Sequence, residues 1–491
     1  MTHTTNLYQA FLRTVQQQPE AMACLDLGRG QRWTYRRLSD RINEAAGRLD
    51  AAGIRPGQCI GLHYGSGVDY IVWAYAIWRC GATVVPIATE LAADEKAEVC
   101  SKIKVDAILA RQGEAKVFEA FLAGPAHALD GDAIWLPLAT QFDHPAQFLE
   151  VDAAFIRFTS GTTSTAKGVV LSHETVYDRI HAANDALEIG PDDRVVWLLS
   201  MSYHFTVSIV SYLTFGAAII LCSDHFGSTI VEEASAESAT LIYGSPQHYS
   251  FMASDRTETR LDDLRLAIST ASSLKSEIAA AFLKRFGIAL SQAYGIIEVG
   301  LPCINLVGES AKPGSVGRVL PAYEIRLIDA GAGDAKAIEV RGKGIVDAYY
   351  NPWKPRSEIM TDGWFATGDI GHFDEDGYLH ITGRSKEMIS VGGMKFFPQE
   401  VEAVLESHAA VAEAYVYAEA HARLGEVPHA LVRPGAQGAP PELEEELRGL
   451  CQSQLSAFKV PLSIRLVDAV PRTGSGKLKR HAPQTSKGDP I

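Results

Sequence analysis

A run of small and hydroxyl-bearing residues marks the stretch Phe158–Gly168 (FTSGTTSTAKG). Consecutive Gly, Ser and Thr residues let backbone N–H groups crowd around a phosphate chain, and Lys167 adds a positive charge. The stretch lacks the Gly-Lys-Ser/Thr order of a P-loop, and a strand-like segment follows where a P-loop has a helix. It therefore predicts a phosphate-binding loop of another kind, and the alternative is a flexible polar loop.

Three further strings could serve a nucleotide, although each is weak alone. In Gln292–Glu298 (QAYGIIE) an aromatic ring precedes a carboxylate by four residues; the ring suits a purine and the carboxylate suits Mg²⁺. Asp369 ends the string GWFATGD, where a carboxylate could accept hydrogen bonds from a ribose diol. Lys477 lies in PRTGSGKLKR, a Gly-flanked position from which lysine could stabilise developing negative charge. The alternatives are a buried tyrosine, a turn carboxylate and a solvated basic loop.

The elements that must position these strings alternate between helix and strand. Helix and strand alternate from the amphipathic helix predicted at Thr34–Leu49 through strands predicted at Ala153–Thr159, Arg194–Leu199 and Arg265–Ser269. The alternation indicates parallel strands with crossover helices. After Lys312, short strands and Gly-containing turns predict a β-rich subdomain. We expect an α/β fold with a large N-terminal domain of mixed and parallel sheets over residues 1–384 and a small α+β domain over residues 385–491.

Composition excludes several classes of function. The 491 residues carry a formal net charge of −14, which argues against a nucleic acid partner. The seven cysteines form no CxxC pair, so a zinc cluster or disulfide framework is not expected, and a reducing cytoplasm fits. Met1–Gln18 lacks the order of a signal peptide. The apolar stretch Ile71–Ile87 is interrupted by Arg79 and is too short for a membrane span. We expect a cytoplasmic protein without a membrane partner.

Together, the four strings stand in the order and at the separations of a known family. The chain resembles the adenylate-forming enzymes, which include acyl- and aryl-CoA synthetases, nonribosomal peptide adenylation domains and firefly luciferase. The resemblance runs from Trp33 to Lys477, nearly the whole chain. It implies that the small C-terminal domain is mobile and swings between two orientations. It also implies that ATP activates a carboxylic acid as an acyl-AMP, which then passes to a pantetheine thiol.

The resemblance assigns a role to each motif. The loop would hold the β- and γ-phosphates, Tyr294 would stack on adenine, Asp369 would hold the ribose hydroxyls, and Arg384 would support ribose and phosphate. Glu298 would bind Mg²⁺, and Lys477 would bridge the carboxylate and the α-phosphate. The catalytic residues implied are Lys477, Lys167, Glu298 and His204. The ATP-binding residues implied are Thr159, Ser160, Gly161, Thr162, Thr163, Lys167, Tyr294, Gly295, Glu298, Asp369, Arg384 and Lys477.

Two further implications concern the C-terminal domain and the thiol. Lys386 stands at the family's hinge, and Gly392 and Gly393 would line the tunnel for a pantetheine thiol. No carrier domain follows Arg480, so we expect the acceptor to be CoA or the phosphopantetheine arm of a separate carrier protein. The protein is expected to be a monomer or a homodimer.

The acid pocket is expected around the helix Tyr203–Gly216. This segment contains no Asp or Glu, which argues against an α-amino acid, because its buried ammonium would lack a partner. His204 could hydrogen-bond the acid's carboxylate, or it could be a satisfied histidine at a helix start. The aromatic residues favour an aryl or short acyl acid. The predicted pocket residues are Tyr203, His204, Phe205, Ser208, Ser245, Thr270, Ala271 and Val299.

One position departs from the family. Ile297 stands where the family usually has a threonine whose hydroxyl contacts the α-phosphate. A hydrogen bond to a charged group contributes roughly 1.5–3 kcal/mol, so adenylation could be slower here. The departure keeps a non-catalytic acid- or nucleotide-binding homologue open as an alternative. The other alternative is a stand-alone amino acid adenylation enzyme.

Overall fold

A computed structural model describes residues 6–139, 142–159, 167–330, 335–435 and 438–471. The chain forms two compact units. The first holds most of the chain up to Phe365, and the second holds Ile325–Glu339 together with the chain from Ala366 onward. The predicted α/β class is confirmed, whereas the domain boundary at residue 384 stays a prediction. Among the described helices, none combines the length and apolar character needed to cross a bilayer.

The described residues of both units form strands and helices, which alternate through most of the first unit. The strands are β1 (Met22–Asp26), β2 (Gln31–Thr34), β3 (Cys59–His63), β4 (Thr83–Pro86), β5 (Ala107–Arg111), β6 (His127–Asp130), β7 (Ala133–Pro137), β8 (Ala153–Thr159), β9 (Lys167–Ser172), β10 (Arg194–Trp197), β11 (Ala218–Leu221), β12 (Leu241–Gly244), β13 (Leu266–Ser269), β14 (Leu290–Ile296), β15 (Gly300–Ile304), β16 (Arg318–Val319), β17 (Tyr323–Asp329), β18 (Lys336–Gly342), β19 (Ala348–Tyr349), β20 (Lys354–Pro355), β21 (Phe365–Phe373), β22 (Leu379–Arg384), β23 (Ile389–Val391), β24 (Met394–Phe396), β25 (Val411–His421), β26 (Gly425–Pro434) and β27 (Ser463–Leu466). The helices are α1 (Leu7–Gln17), α2 (Tyr35–Ala51), α3 (Val68–Arg79), α4 (Ala93–Lys102), α5 (His173–Leu187), α6 (Met201–His204), α7 (Ile209–Phe215), α8 (Gly227–Ala236), α9 (Pro246–Ala253), α10 (Ser276–Phe286), α11 (Arg356–Ile359), α12 (Pro398–Glu406) and α13 (Leu443–Gln454).

One large sheet of the first unit has the strand order β16-β15-β14-β13-β12-β10-β11-β1-β2. Its central strands β10 to β14 pair in parallel, as the alternation of helices and strands predicts. Because parallel strands end at the same edge, Trp197 and Tyr243 lie opposite each other there. The helices α8 to α10 cover one face, where Ile242 and Phe282 are fully buried. This edge therefore collects side chains from several strand ends.

The other large sheet has the order β20-β19-β9-β8-β4-β3-β5-β7-β6. Strands β8 and β9 pair in antiparallel fashion from Ala153–Ser172 to Thr159–Lys167. The short strand β19 adds to β9, so that Tyr349 pairs with Val169. The sheet therefore carries the two ends of the predicted phosphate loop beside a segment almost two hundred residues further along the chain.

The remaining strands belong to smaller sheets. Strands β17, β18, β21 and β22 form one sheet in that order. In the C-terminal region, β25 and β26 form a long antiparallel hairpin, and β23 and β27 also pair with β26. Helices α12 and α13 contribute the buried side chains Val401, Leu405 and Leu447 to the core of this region. The predicted mixture of helices and strands after residue 385 is thus present.

Candidate active site

The β8–β9 hairpin presents the ends of the predicted phosphate loop. Strand β8 ends at Thr159 and β9 starts at Lys167, and these two residues are the last pair of the hairpin. Ser160, Gly161, Thr162 and Thr163 lie outside the described residues, and so does Lys477. Their roles stay predictions.

Lys167 and Glu298 meet through one tyrosine. The Nζ atom of Lys167 lies 4.4 Å from the ring centroid of Tyr349, which is a cation–π distance. The hydroxyl of Tyr349 donates to Oε1 of Glu298 at 3.4 Å. Burial, reinforced by the Glu298 carboxylate, raises the pKa of Tyr349, so the phenol keeps its proton and acts as donor. Tyr349 thus links the predicted phosphate-binding lysine to the predicted Mg²⁺-binding glutamate.

The turn carrying Glu298 joins β14 to β15. A Cβ atom on Gly295 would overlap the carbonyl oxygen of Gly300, so the two strands approach closely only with glycine here. The carbonyl of Glu298 accepts a hydrogen bond from the N–H of Val346 at 2.7 Å. The carbonyl of Val299 accepts one from the Tyr323 hydroxyl at 3.2 Å. The backbone of the turn is therefore held at the two carbonyls that follow the Glu298 side chain.

Tyr294, predicted to stack on adenine, lies in β14 opposite Cys303. Its side chain is 9% exposed. Its role at the adenine ring stays a prediction.

Aromatic side chains surround the predicted acid-binding histidine. His204 ends α6, and its ring centroid lies 6.2 Å from that of Trp197 and 6.4 Å from that of Tyr243. The rings of Trp197 and Tyr243 stack at 5.3 Å with an angle of 11°. Burial raises the pKa of Tyr243 to about 12, against a hydrogen bond from Thr270 that lowers it. We call these three side chains, His204, Trp197 and Tyr243, the aromatic wall.

The other predicted pocket residues differ in their surroundings. The hydroxyl of Ser208 donates to the carbonyl of His204 at 2.5 Å, and that of Ser245 lies 2.9 Å from Nδ1 of His248. Ala271 has a φ of +73°, a left-handed conformation uncommon outside glycine. Phe205 is fully buried against Tyr70, so the structure turns this side chain toward the core, away from His204.

A half-buried arginine that no sequence motif marks supports α6. Nη1 of Arg157 donates to the carbonyl of Tyr203 at 2.7 Å, and its guanidinium lies 5.1 Å from the Tyr203 ring centroid. Burial lowers the pKa of Arg157, while Tyr203 and Glu298 act against the shift, and a guanidinium nevertheless keeps its charge. Arg157 and Tyr203 line a cavity of about 60 Å³. In the sequence, Arg157 stands inside an apolar strand, so no motif signals it.

The second unit carries the predicted ribose-binding pair. Asp369 of β21 and Arg384 of β22 are cross-strand neighbours, and Nε of Arg384 lies 2.9 Å from Oδ1 of Asp369. Asp369 is 3% exposed, and its charge is balanced by this ion pair. The pair thus holds an oriented carboxylate, and its role at the ribose stays a prediction.

The predicted hinge and tunnel residues lie in turns of the second unit. Lys386 lies in the short turn Ser385–Glu387 directly after β22. Gly392 and Gly393 have φ angles of +58° and +86° and join β23 to β24. A two-residue hairpin with positive φ at both positions favours glycine strongly, so this turn explains both glycines whether or not a thiol passes beside them.

Two large sheets, with a lysine and a carboxylate on one tyrosine ring and an aromatic wall near the ends of β10 and β12, are typical of a nucleotide-dependent enzyme that acts on a small organic substrate. The AMP-binding enzyme family model matches residues 11–350, and the model of its C-terminal domain matches residues 400–477. The chain belongs to this family, and the predicted membership of the adenylate-forming enzymes is confirmed.

Relatives match along nearly the whole chain. An oxalate–CoA ligase of Arabidopsis thaliana is 30% identical, over 91% of this chain and 92% of its own. A 2-succinylbenzoate–CoA ligase of Bacillus licheniformis is 30% identical, over 91% and 94%. The solved structure of ATP-bound MatB from Rhodopseudomonas palustris is 26% identical, covers 96% of this chain and 97% of its own, and has a TM-score of 0.83. The predicted enzyme class, an ATP-dependent ligase that joins a carboxylic acid to a thiol, is thereby confirmed.

Proposed function

We propose that the protein is an acid–CoA ligase for an aryl or short acyl acid. The observation that carries the proposal is the contact series Lys167–Tyr349–Glu298, which places a cation and a carboxylate on one ring at the end of the β8–β9 hairpin. These are the charges that ATP activation needs. The names of the relatives, which are CoA ligases, support CoA as the thiol.

The reaction has two steps. In the first, a carboxylate oxygen of the acid attacks the α-phosphorus of ATP, the bond to the bridging oxygen breaks, and pyrophosphate leaves. Lys167 and Lys477 offset the negative charge that develops on the phosphates. In the second, the thiol sulfur attacks the acyl carbon, loses its proton, and expels AMP. Water must be excluded between the steps, because the acyl-AMP hydrolyses easily.

The residues around Glu298 fit Mg²⁺ bound mainly through ATP. Within the described part of the chain, no three His, Cys, Asp or Glu side chains gather to hold a metal ion. Mg²⁺ commonly uses one or two carboxylates, with waters and phosphate oxygens as the other ligands. Glu298, held by Tyr349 on one side, can supply such a carboxylate. When bound, the ion neutralises phosphate charge and orients the leaving pyrophosphate.

The aromatic wall supports an aryl or short acyl acid. Its flat rings, of which Trp197 and Tyr243 are buried and His204 is half-buried, suit a planar substituent. The proposal gives His204, at the end of α6, the role of donor to the acid's carboxylate. No acidic residue occurs in the segment from Tyr203 to Gly216, so an α-ammonium group would be left unpaired on this side of the pocket. A stand-alone amino acid adenylation enzyme is therefore the weaker candidate.

The test is ATP–pyrophosphate exchange against a panel of benzoates, cinnamates, 2-succinylbenzoate, oxalate, short acyl acids and amino acids. We expect exchange with an aryl or short acyl acid, and its loss in Lys477→Ala. Mass spectrometry of the product, with CoA or a phosphopantetheinylated carrier protein added, then identifies the acceptor. Exchange only with amino acids would overturn the acid class, and thioester formation only on the carrier would overturn CoA as acceptor.

A further inference from the structure

Arg179 is a buried cation that the predicted chemistry leaves unexplained. It lies in α5 and is 1% exposed. Nε and Nη2 donate to the carbonyl of Gly344 at 3.0 and 2.5 Å, and Nη1 donates to the carbonyl of Ile297 at 3.0 Å. Among the described residues it forms no ion pair, so its hydrogen bonds go to two backbone carbonyls from distant parts of the chain.

Burying this charge is unfavourable. Burial lowers the pKa of Arg179, the Arg356 guanidinium lowers it further, and Tyr323, Asp347 and Glu298 act against the shift. A charge removed from water without a hydrogen-bonded counter-ion costs several kcal/mol. A long apolar residue would fill the same space without that cost, which points to a role for the two hydrogen-bonded carbonyls.

Both carbonyls belong to segments that hold Glu298. Ile297 directly precedes Glu298. Gly344 leads into the segment whose Val346 N–H donates to the carbonyl of Glu298, and whose Tyr349 hydroxyl donates to its carboxylate. Arg179 therefore ties the turn that carries the glutamate to the segment that contacts it from the other side.

The backbone closes around this side chain. Gly344 has a φ of +72°, and a Cβ atom there would lie 2.7 Å from Cβ of Arg179. Gly300 has a φ of +96°, and a Cβ atom there would lie 3.3 Å from Cβ of Arg179. Two glycines in left-handed conformations thus let both segments approach α5 closely enough to share one guanidinium.

We propose that Arg179 is a positioning residue that sets the place of the Glu298 carboxylate in the Mg·ATP site. The inference rests on the proposed function, since it assigns Glu298 to that site. Arg179 holds the Ile297–Glu298 peptide by its carbonyl, and this fixes the direction in which the carboxylate leaves the backbone. A shift of this peptide by a fraction of an ångström moves the carboxylate relative to the phosphates.

A second arginine provides the matched control. Arg356 donates from Nε to the carbonyl of Val346 at 3.0 Å and from Nη2 to that of Ile345 at 2.5 Å. It therefore holds the same segment as Arg179, but it does not contact Ile297. Arg356→Lys loosens that segment and its contact with Thr175 of α5, whereas Arg179→Lys also releases the turn of Glu298.

The experiment compares Arg179→Lys, Arg356→Lys and wild type, each with and without Glu298→Gln. The readouts are the melting temperature, Mg²⁺-dependent ATP binding by calorimetry, and pyrophosphate exchange measured over a range of Mg·ATP concentrations and over a range of acid concentrations. We expect Arg179→Lys to lower kcat/KM for Mg·ATP about ten- to a hundredfold and to weaken ATP binding with Mg²⁺ far more than without it. The KM for the acid stays unchanged, and Arg356→Lys has a much smaller effect.

The double variants decide whether Arg179 acts through Glu298. If it does, Arg179→Lys adds little once Glu298 is already Gln, because coupled residues are not additive. The inference would be overturned if the losses from Arg179→Lys and Glu298→Gln multiplied in the double variant. It would also be overturned if Arg179→Lys raised the KM for the acid as much as it lowered kcat/KM for Mg·ATP, or if Mg²⁺-dependent ATP binding were unchanged. If the wild-type protein binds Mg·ATP but no acid supports pyrophosphate exchange, the proposed function is wrong, while the ATP-binding measurements still test the role of Arg179. A wild type that binds no ATP overturns both.

Discussion

His173 is buried and neutral in the folded protein, so the free energy of unfolding decreases as the pH falls below the ordinary pKa of histidine. His173 is the first residue of α5 and is 2% exposed. Its Nδ1 accepts a hydrogen bond from the N–H of Leu7 at 3.2 Å, and the Trp78 ring lies edge-on at 5.9 Å. Burial lowers the pKa of His173 to about 4. The folded protein therefore keeps this ring neutral at pH values where an unfolded chain protonates it.

The lowered pKa of His173 sets the sign and size of the effect. Its ordinary value is 6.5, so above that pH neither state carries the proton and the full stability is present. As the pH falls from 6.5 to about 4, the unfolded chain binds a proton that the folded chain does not, and stability declines. At about 1.4 kcal/mol per pH unit, the loss is about 3 kcal/mol. Below pH 4 this group causes no further loss.

Urea unfolding at pH 7.5 and 4.5 measures this loss of stability. His173→Asn keeps an acceptor for the Leu7 N–H and removes the titration, so the variant should lose about 3 kcal/mol less than wild type between the two pH values. His127, which is exposed, gives the matched control His127→Asn, which should follow wild type. Equal losses in wild type and His173→Asn would refute the reasoning, because carboxylates would then account for the whole acid effect.

Three further variants test the site. Tyr349→Phe removes the hydroxyl at Glu298 but keeps the ring under Lys167, so kcat/KM for Mg·ATP should fall by up to about tenfold; Tyr349→Leu should cost more, and equal values for both would contradict a role for the ring. Ile297→Thr should raise the exchange rate by about tenfold or more, and an unchanged rate would show that this position does not limit adenylation. Gly295→Ala should lower the melting temperature by several degrees, because its Cβ overlaps the Gly300 carbonyl; an unchanged transition would mean that β14 and β15 can separate there.

Local sequence patterns predict the elements well where the chain itself marks their limits. The strand predicted at Ala153–Thr159 is β8 as found, because an apolar run ends there at a small polar stretch. The helix predicted at Thr34–Leu49 is found as α2, Tyr35–Ala51, since Thr34 caps it by accepting from the N–H of Arg37. The strand predicted at Arg194–Leu199 ends earlier, at Trp197, which pairs with Tyr243 of β12. A local sequence pattern does not show which strands will pair, so it does not fix the residue at which a strand ends.

Sequence motifs identify only part of the candidate site. Lys167 and Glu298 stand in recognisable strings, and the structure brings them to the same ring. Tyr349 and Arg157 act through contacts with segments distant in sequence, and each reads locally as an ordinary residue of a strand. Phe205 directly follows His204, but the helix changes to a tighter turn at Phe205, and its ring packs against Trp78 in the core.

Residue 297, directly before Glu298, can act through its side chain or through its carbonyl, and in this chain only the carbonyl makes a polar contact. A threonine side chain would reach the α-phosphate, but Ile297 offers no hydroxyl, while its carbonyl is bound by Arg179 at 3.0 Å. The missing hydroxyl therefore affects the reacting phosphate, and the carbonyl contact affects the placement of the glutamate. Ile297→Thr should change the rate of adenylation without changing its Mg²⁺ dependence, and Arg179→Lys should change the Mg²⁺ dependence in either background. A Mg²⁺ dependence that shifts with Ile297→Thr would show that the two contacts are one.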